Sequence, residues 1–146
     1  IIYMFFKIIS IFTTCEYRDN FKEHIDYLGH KNSLVEELSM RRNFELEDLA
    51  LDSDIAKNFE IKELYDELCT NLSFGEKRKF AIAKLLQAKK KIWVLDEPFA
   101  GLDAVSYDFL VKAFKQHIRS GGTILLTNHQ TEIPDTKKVN LDEKIS

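Results

Sequence analysis

Apolar and polar positions change their rhythm twice along this chain. Between residues 36 and 67, Leu46, Leu49 and Ala50, then Phe59, Ile61 and Leu64, with Leu68 just beyond, stand at helical spacing among acidic residues. The pattern predicts two or three short surface helices with acidic outer faces. Ser73-x-x-Glu76 then has the form of a capping box, which predicts a helix running to about Leu86. The unbroken run IWVL at 92–95, set between lysines and Asp-Glu-Pro, predicts a buried parallel strand. Tyr107, Leu110, Val111, Phe114 and Ile118 mark an amphipathic helix stopped at Gly121-Gly122. TILLT at 123–127 predicts a second buried strand, with His129 just past its end. Helix, strand, helix, strand is the pattern of an α/β fold with a parallel sheet.

Residues 1–13 are apolar at every position except Lys7, Ser10 and Thr13. The run is shorter than the roughly 20 residues that cross a bilayer. It also lacks the basic flank and cleavage site of a signal peptide. It reads as a core strand or helix cut off from its partner, in a chain that opens on Ile and whose true start is expected upstream.

At 146 residues, with 45% hydrophobic and 31% charged positions, 5 Gly and 2 Pro, the chain suits one domain and excludes a disordered or linker-like polymer. A net charge of −3 argues against a strongly basic nucleic-acid binder. The charge is unevenly spread. Residues 36–67 carry 11 acids and 4 bases, whereas residues 71–91 carry seven bases and the single acid Glu76. A solvated face is the expected meaning of the acidic stretch. Cys15 and Cys69 have no metal-ligand spacing and read as thiols of a reducing compartment.

In an open α/β sheet the functional groups gather at the carboxyl ends of the strands. Asp96-Glu97 closes one predicted strand and His129 follows the other, so two carboxylates and an imidazole converge at one sheet edge. One acid of such a pair can hold a hard Mg²⁺ ion while its neighbour polarises a water.

LSFGEKRKFAIAKLL at 72–86, WVLDEPFAGLD at 93–103 and LLTNH at 125–129 stand in one order and at close spacing. Together they resemble the ATP-binding cassette (ABC) ATPases. LSFGE is similar to the family's signature, Asp-Glu-Pro to its Walker B element with the catalytic glutamate, AGLD to its D-loop, and Asn128-His129 to its switch. The resemblance implies a P-loop NTPase cassette of ABC type, with a parallel-sheet core and a helical subdomain. It implies that Asp96 binds Mg²⁺, that Glu97 is the general base on the attacking water, and that His129 senses the γ-phosphate of ATP.

Ser73 and Gly75 open a helix whose free N–H groups and positive end favour an anion, and glycine at 75 permits close backbone approach. In the family this end covers ATP held by a second ABC subunit, and Asp103 bridges to that subunit. Phe74 and Glu76 depart from the commoner Gly and Gln. Glu76 puts a negative charge near a phosphate-binding edge unless it turns into the capping box.

HIDYLGHKNSLVEELS at 24–39 resembles the Q-loop region of the ABC subunit of cytochrome c maturation, implicated in haem export. Tyr27-Leu28-Gly29-His30, Leu34, Leu38-Ser39 and Arg42-Asn43-Phe44 follow that subfamily's pattern, with Arg42 in place of a Glu. His30 stands at the Q-loop position, where it can donate to water or phosphate but lacks the amide carbonyl. The subfamily implies a transport ATPase docked on an integral membrane permease, at the cytoplasmic or mitochondrial matrix face of the inner membrane, with no nucleic-acid partner. On this reading residues 1–30 are the remnant of the N-terminal core and Q-loop region, 31–71 the helical subdomain, and 72–146 the signature-to-switch region.

No G-x-x-x-x-G-K-[ST] loop precedes the Q-loop, since no glycine occurs before Gly29. The chain reads as the C-terminal part of a cassette whose first segment is lost or separately encoded, with a degenerate, non-hydrolysing cassette as the alternative. Glu76-Lys77-Arg78 also follows the signature style of ABC-type ATPases of DNA maintenance. Residues 31–71 are too short and irregular for the heptad insertion those proteins carry.

Overall fold

The computed structural model describes residues 21–127. Residues 1–13, Cys15, Asn128 and His129 lie outside that range, so the expectations placed on them are not addressed by it. The described chain runs α1 (Phe21–His24), β1 (Ile25–Leu28), α2 (Met40–Glu45), α3 (Ser53–Phe59), two single 3₁₀ turns (Lys62–Leu64 and Cys69–Asn71), α4 (Phe74–Gln87), β2 (Ile92–Asp96), α5 (Ala104–Arg119) and β3 (Thr123–Thr127).

Three parallel strands form a sheet in the order β1-β2-β3. The register sets Leu28 beside Leu95 and Asp96 beside Thr127, so all three strands end at one edge. Every residue of β2 is buried, as a continuous apolar run in a central strand requires. Its two faces serve different neighbours. Trp93 and Leu95 join the main core with Phe44, Phe80, Leu110 and Phe114, while Ile92 and Val94 pack with Ile25 and Leu125.

Aromatic edges hold the helices over the main core. Phe44 meets Phe80 at 6.2 Å and Phe59 meets Phe109 at 5.0 Å, both near perpendicular, which joins α2 to α4 and α3 to α5. Trp93 is stacked flat on His117 at 3.6 Å.

The acidic stretch folds as two short helices and one 3₁₀ turn, as its spacing predicts, although the helix boundaries differ. Leu46, Leu49 and Ala50 lie after α2 rather than within a helix, because Asp48 takes a left-handed backbone (φ 54°) and Asp52 caps a new helix four residues on. Leu46 is accordingly 64% exposed. Several acids of this stretch are paired. Glu36 bridges Lys77 at 2.7 Å, Glu47 bridges Lys84 at 2.6 Å and Asp66 bridges Arg41 at 2.6 Å. Two of these bridges fasten the acidic segment to the basic helix α4. Asn43 is buried and its amide ties back to both Val35 backbone groups and to Ser39 O, which fixes the turn leading into α2.

Candidate active site

The carboxyl edge of the sheet carries the candidate site. Asp96 ends β2 and is 4% exposed. Its Oδ1 accepts the Thr127 hydroxyl at 2.7 Å. Its Oδ2 is buried with no hydrogen-bond partner among the described residues. A carboxylate oxygen withdrawn from water without a donor is costly, on the order of several kcal/mol for a charged group. A hard cation relieves that cost. Mg²⁺ suits such a place, because it is held by one or two carboxylates together with waters and phosphates. No group of three or more His, Cys, Asp or Glu placed to hold a metal ion occurs among the described residues.

Glu97 follows in a left-handed backbone conformation (φ 49°), which costs a non-glycine residue about 1–2 kcal/mol. Its backbone is held on both sides. The amide donates to Thr127 Oγ1 at 3.1 Å, and the carbonyl accepts Arg78 Nη2 at 2.8 Å and the Ala100 amide at 3.1 Å. The left-handed turn at Glu97 ends the strand directly after Asp96.

The S-x-x-E reading holds in atomic detail. Ser73 N-caps α4, its Oγ accepting the Glu76 amide at 3.3 Å, while the Ser73 amide and hydroxyl both donate to Glu76 Oε2, at 2.8 and 2.6 Å. Those two donors hold the Glu76 carboxyl below the usual range. Glu76 thus turns into the capping box rather than outward. Gly75 has a reason within the chain as well: a Cβ there would come within 2.6 Å of the Gly101 carbonyl oxygen, so the start of α4 rests directly on the AGLD loop.

Asp103 closes that loop as the N-cap of α5, accepting the Ser106 amide at 2.8 Å and the Ser106 hydroxyl at 3.1 Å. Lys79 bridges it at 2.5 Å. Lys79 and the Ser106 donors together drive the Asp103 carboxyl far below the usual range. His30 is exposed just beyond β1, its ring 6.4 Å from that of Phe74 at the start of α4. The structure therefore brings His30, Ser73, Gly75, Glu76, Asp96, Glu97 and Asp103 to one end of the described fold, while His129 lies outside the described residues.

Sequence reasoning missed two participants and one strand. Thr127 joins the two acids, and the signal was a hydroxyl residue ending the run TILLT directly opposite Asp96. Arg78 is 1% exposed beneath the site, in a run of three bases that reads as surface. Burial pushes its guanidinium down, opposed by the Asp96 and Glu97 charges. β1 was hidden because its four residues include the polar Asp26 and the exposed Tyr27.

A family profile described as "ABC transporter" matches residues 8–100. The cytochrome c biogenesis ATP-binding export protein CcmA of Dechloromonas aromatica (strain RCB) is 34% identical over 120 residues, covering 77% of this chain and 59% of that protein. The protein of the same name from Histophilus somni (strain 129Pt) is 32% identical over 136 residues, covering 86% of this chain and 62% of its own length. This chain thus spans about six-tenths of those relatives. A solved ATP-binding subunit of an ABC transporter superposes with a TM-score of 0.66 at 20% identity, over 73% of this chain and 49% of that one. A dimeric ATP-binding cassette in a post-hydrolysis state, bound to ADP and Pi, does so at 0.62 and 20%, over 77% of this chain and 56% of that one. At those identities the likeness is one of fold.

Proposed function

The chain belongs to the ABC transporter family, and we propose that it serves as the ATP-hydrolysing subunit of a membrane transporter that exports haem for cytochrome c biogenesis. The observation that carries this reading is Asp96, a buried strand-end carboxylate with one oxygen lacking a donor among the described residues, next to Glu97 on a braced left-handed turn. Asp96 would hold Mg²⁺, which neutralises charge on the β- and γ-phosphates when bound. Glu97 takes a proton from the attacking water as the water oxygen bonds to the γ-phosphorus and the bond to the ADP oxygen breaks. His129 would sense the γ-phosphate, as its place in the switch motif implies, and His30, at the Q-loop position, would donate to water or phosphate.

Ser73, Gly75 and Glu76 open the helix end that would face ATP held by a second ABC subunit, with the Glu76 carboxylate turned into its capping box, and Asp103 would bridge to that subunit. The helical segment between His30 and Asn71 receives the permease. Turnover is assigned to the assembled transporter. The assembly lies peripherally on the cytoplasmic or matrix face of the inner membrane; no helix among the described residues is long and apolar enough to cross one. The names of the relatives support the cytochrome c biogenesis and export part of the reading, and haem enters from the resemblance of residues 24–39. Against a DNA-maintenance role stands the internal engagement of Lys77, Arg78 and Lys79, which pair with Glu36, backbone carbonyls and Asp103.

The test is to isolate the tagged chain from detergent-solubilised membranes of its own source. A multi-span membrane protein and Mg²⁺-dependent ATP hydrolysis should accompany it, and cells lacking the chain should fail to attach haem to c-type cytochromes. A stable complex free of any membrane protein, with cytochromes c intact in its absence, would overturn the assignment.

A further inference from the structure

Arg78 joins three separate pieces of backbone or loop beneath the site. Its Nη1 donates to Gly29 O at 2.7 Å and to Asn32 Oδ1 at 3.0 Å, on the segment leaving β1. Its Nη2 donates to Asp96 O at 2.6 Å and Glu97 O at 2.8 Å, where β2 ends. The side chain is rooted in the 14-residue helix α4, five positions after Ser73. A guanidinium presents two donor ends in one rigid plane, which an ammonium cannot do. Burying a charge is expensive unless its hydrogen bonds are met, and here four acceptors engage Nη1 and Nη2, while Nε has no partner among the described residues.

The placement has a consequence for coupling. α4 begins at the Ser73 cap and packs through Gly75 on the AGLD loop, so its N-terminal end is where phosphate from an opposing subunit would press. Glu97 sits in a left-handed conformation that its own backbone does not favour, and the Arg78 bond to its carbonyl is one of the contacts that hold it. A displacement of α4 therefore moves Arg78, and with it the carbonyls of Asp96, Glu97 and Gly29.

Resting on the transporter-ATPase reading, we propose that Arg78 is a positioning residue, which transmits the placement of the Ser73 helix to the Glu97 backbone and to the Gly29–His30 turn. Nucleotide engagement at the signature end and alignment of the base are then one mechanical event. Arg78 is 1% exposed, so its role is exerted through the backbone it holds.

The experiment uses the tagged chain isolated with its partner chains, in wild-type form and as R78K, N32A and E97Q. R78K keeps a charge but loses the fork, and N32A removes only one acceptor, which preserves the fold if R78K does not. The expected result is about a tenfold fall in kcat for R78K and a smaller fall for N32A, each with the KM for ATP within about twofold. Amide hydrogen exchange over 29–32 and 97–101 should rise together by about tenfold in R78K, while the centre of α4 stays protected. Wild-type kcat in R78K, or exchange that rises uniformly over the whole chain, would overturn the proposal. Turnover unaffected by E97Q would instead overturn the functional reading. The exchange result decides the role of Arg78 in either case.

Discussion

The Thr127 hydroxyl lies between the two acids of the site: it donates to Asp96 Oδ1 at 2.7 Å and accepts the Glu97 amide at 3.1 Å. One side chain on β3 thereby fixes the orientation of a carboxylate and the turn that follows it on β2. Replacing Thr127 by Val keeps the shape and removes both bonds, leaving a part-buried donor and acceptor unmet. The expected cost is about 1–3 kcal/mol, read from thermal or urea unfolding, with a clear loss of Mg²⁺-dependent ATP turnover in the assembled transporter. T127S should recover most of both. A T127V protein with wild-type stability and turnover would show that the bridge is dispensable.

Gly75 and Gly121 separate two uses of glycine. At Gly75 an added methyl would stand 2.6 Å from the Gly101 carbonyl oxygen, so G75A must lift α4 off the AGLD loop. That overpacking is expected to cost about 1–3 kcal/mol and to depress turnover. Gly121 has open space around it but a left-handed backbone (φ 86°), so G121A should cost about 1 kcal/mol and leave turnover per folded molecule unchanged. Unfolding midpoints and ATPase rates for the two variants check the contrast, and equal effects on turnover would refute it.

The Asp103 carboxyl is held far below its ordinary value, first by Lys79 and then by the Ser106 donors. A depressed folded-state value contributes stability that is complete above the unfolded value, near about 4, and is lost as pH falls toward the folded one. The Asp103 side chain is 51% exposed, so solvent screening holds the contribution under about 1 kcal/mol. D103N keeps a good N-cap and removes the charge. The stability gap between wild type and D103N should therefore be largest above about pH 5 and shrink toward about pH 2. A gap that is constant over that range would exclude the ion pair as its source.

The sequence disclosed most of what local chemistry governs. The Ser73–Glu76 box, the apolar run of β2 and the glycine stop after α5 each depend on near neighbours, and each stands where its spacing places it. Long-range partners were not legible. β1 becomes a strand because Ile25–Leu28 pairs with residues 67 positions later, from Ile92, and its four residues carry no alternation of their own to announce it. Arg78 sits between Lys77 and Lys79, both with acidic partners, and only the fold reveals that the middle base points inward to four oxygens. Leu46 misled in the opposite direction, since its helical spacing from Leu49 is an accident of a turn at Asp48. The two acids of the site were readable because both lie at the end of one strand; Thr127 required the β2–β3 register.

On the proposed function, Glu97 is the general base of an ATP-hydrolysing transporter subunit. The most direct measurement is the ATP turnover of the assembled, membrane-extracted complex carrying E97Q, alongside its ATP binding. Glutamine preserves the shape of the side chain and cannot take the proton, so turnover should fall by about 10²–10⁴-fold while ATP remains bound. Turnover equal to wild type would contradict the account.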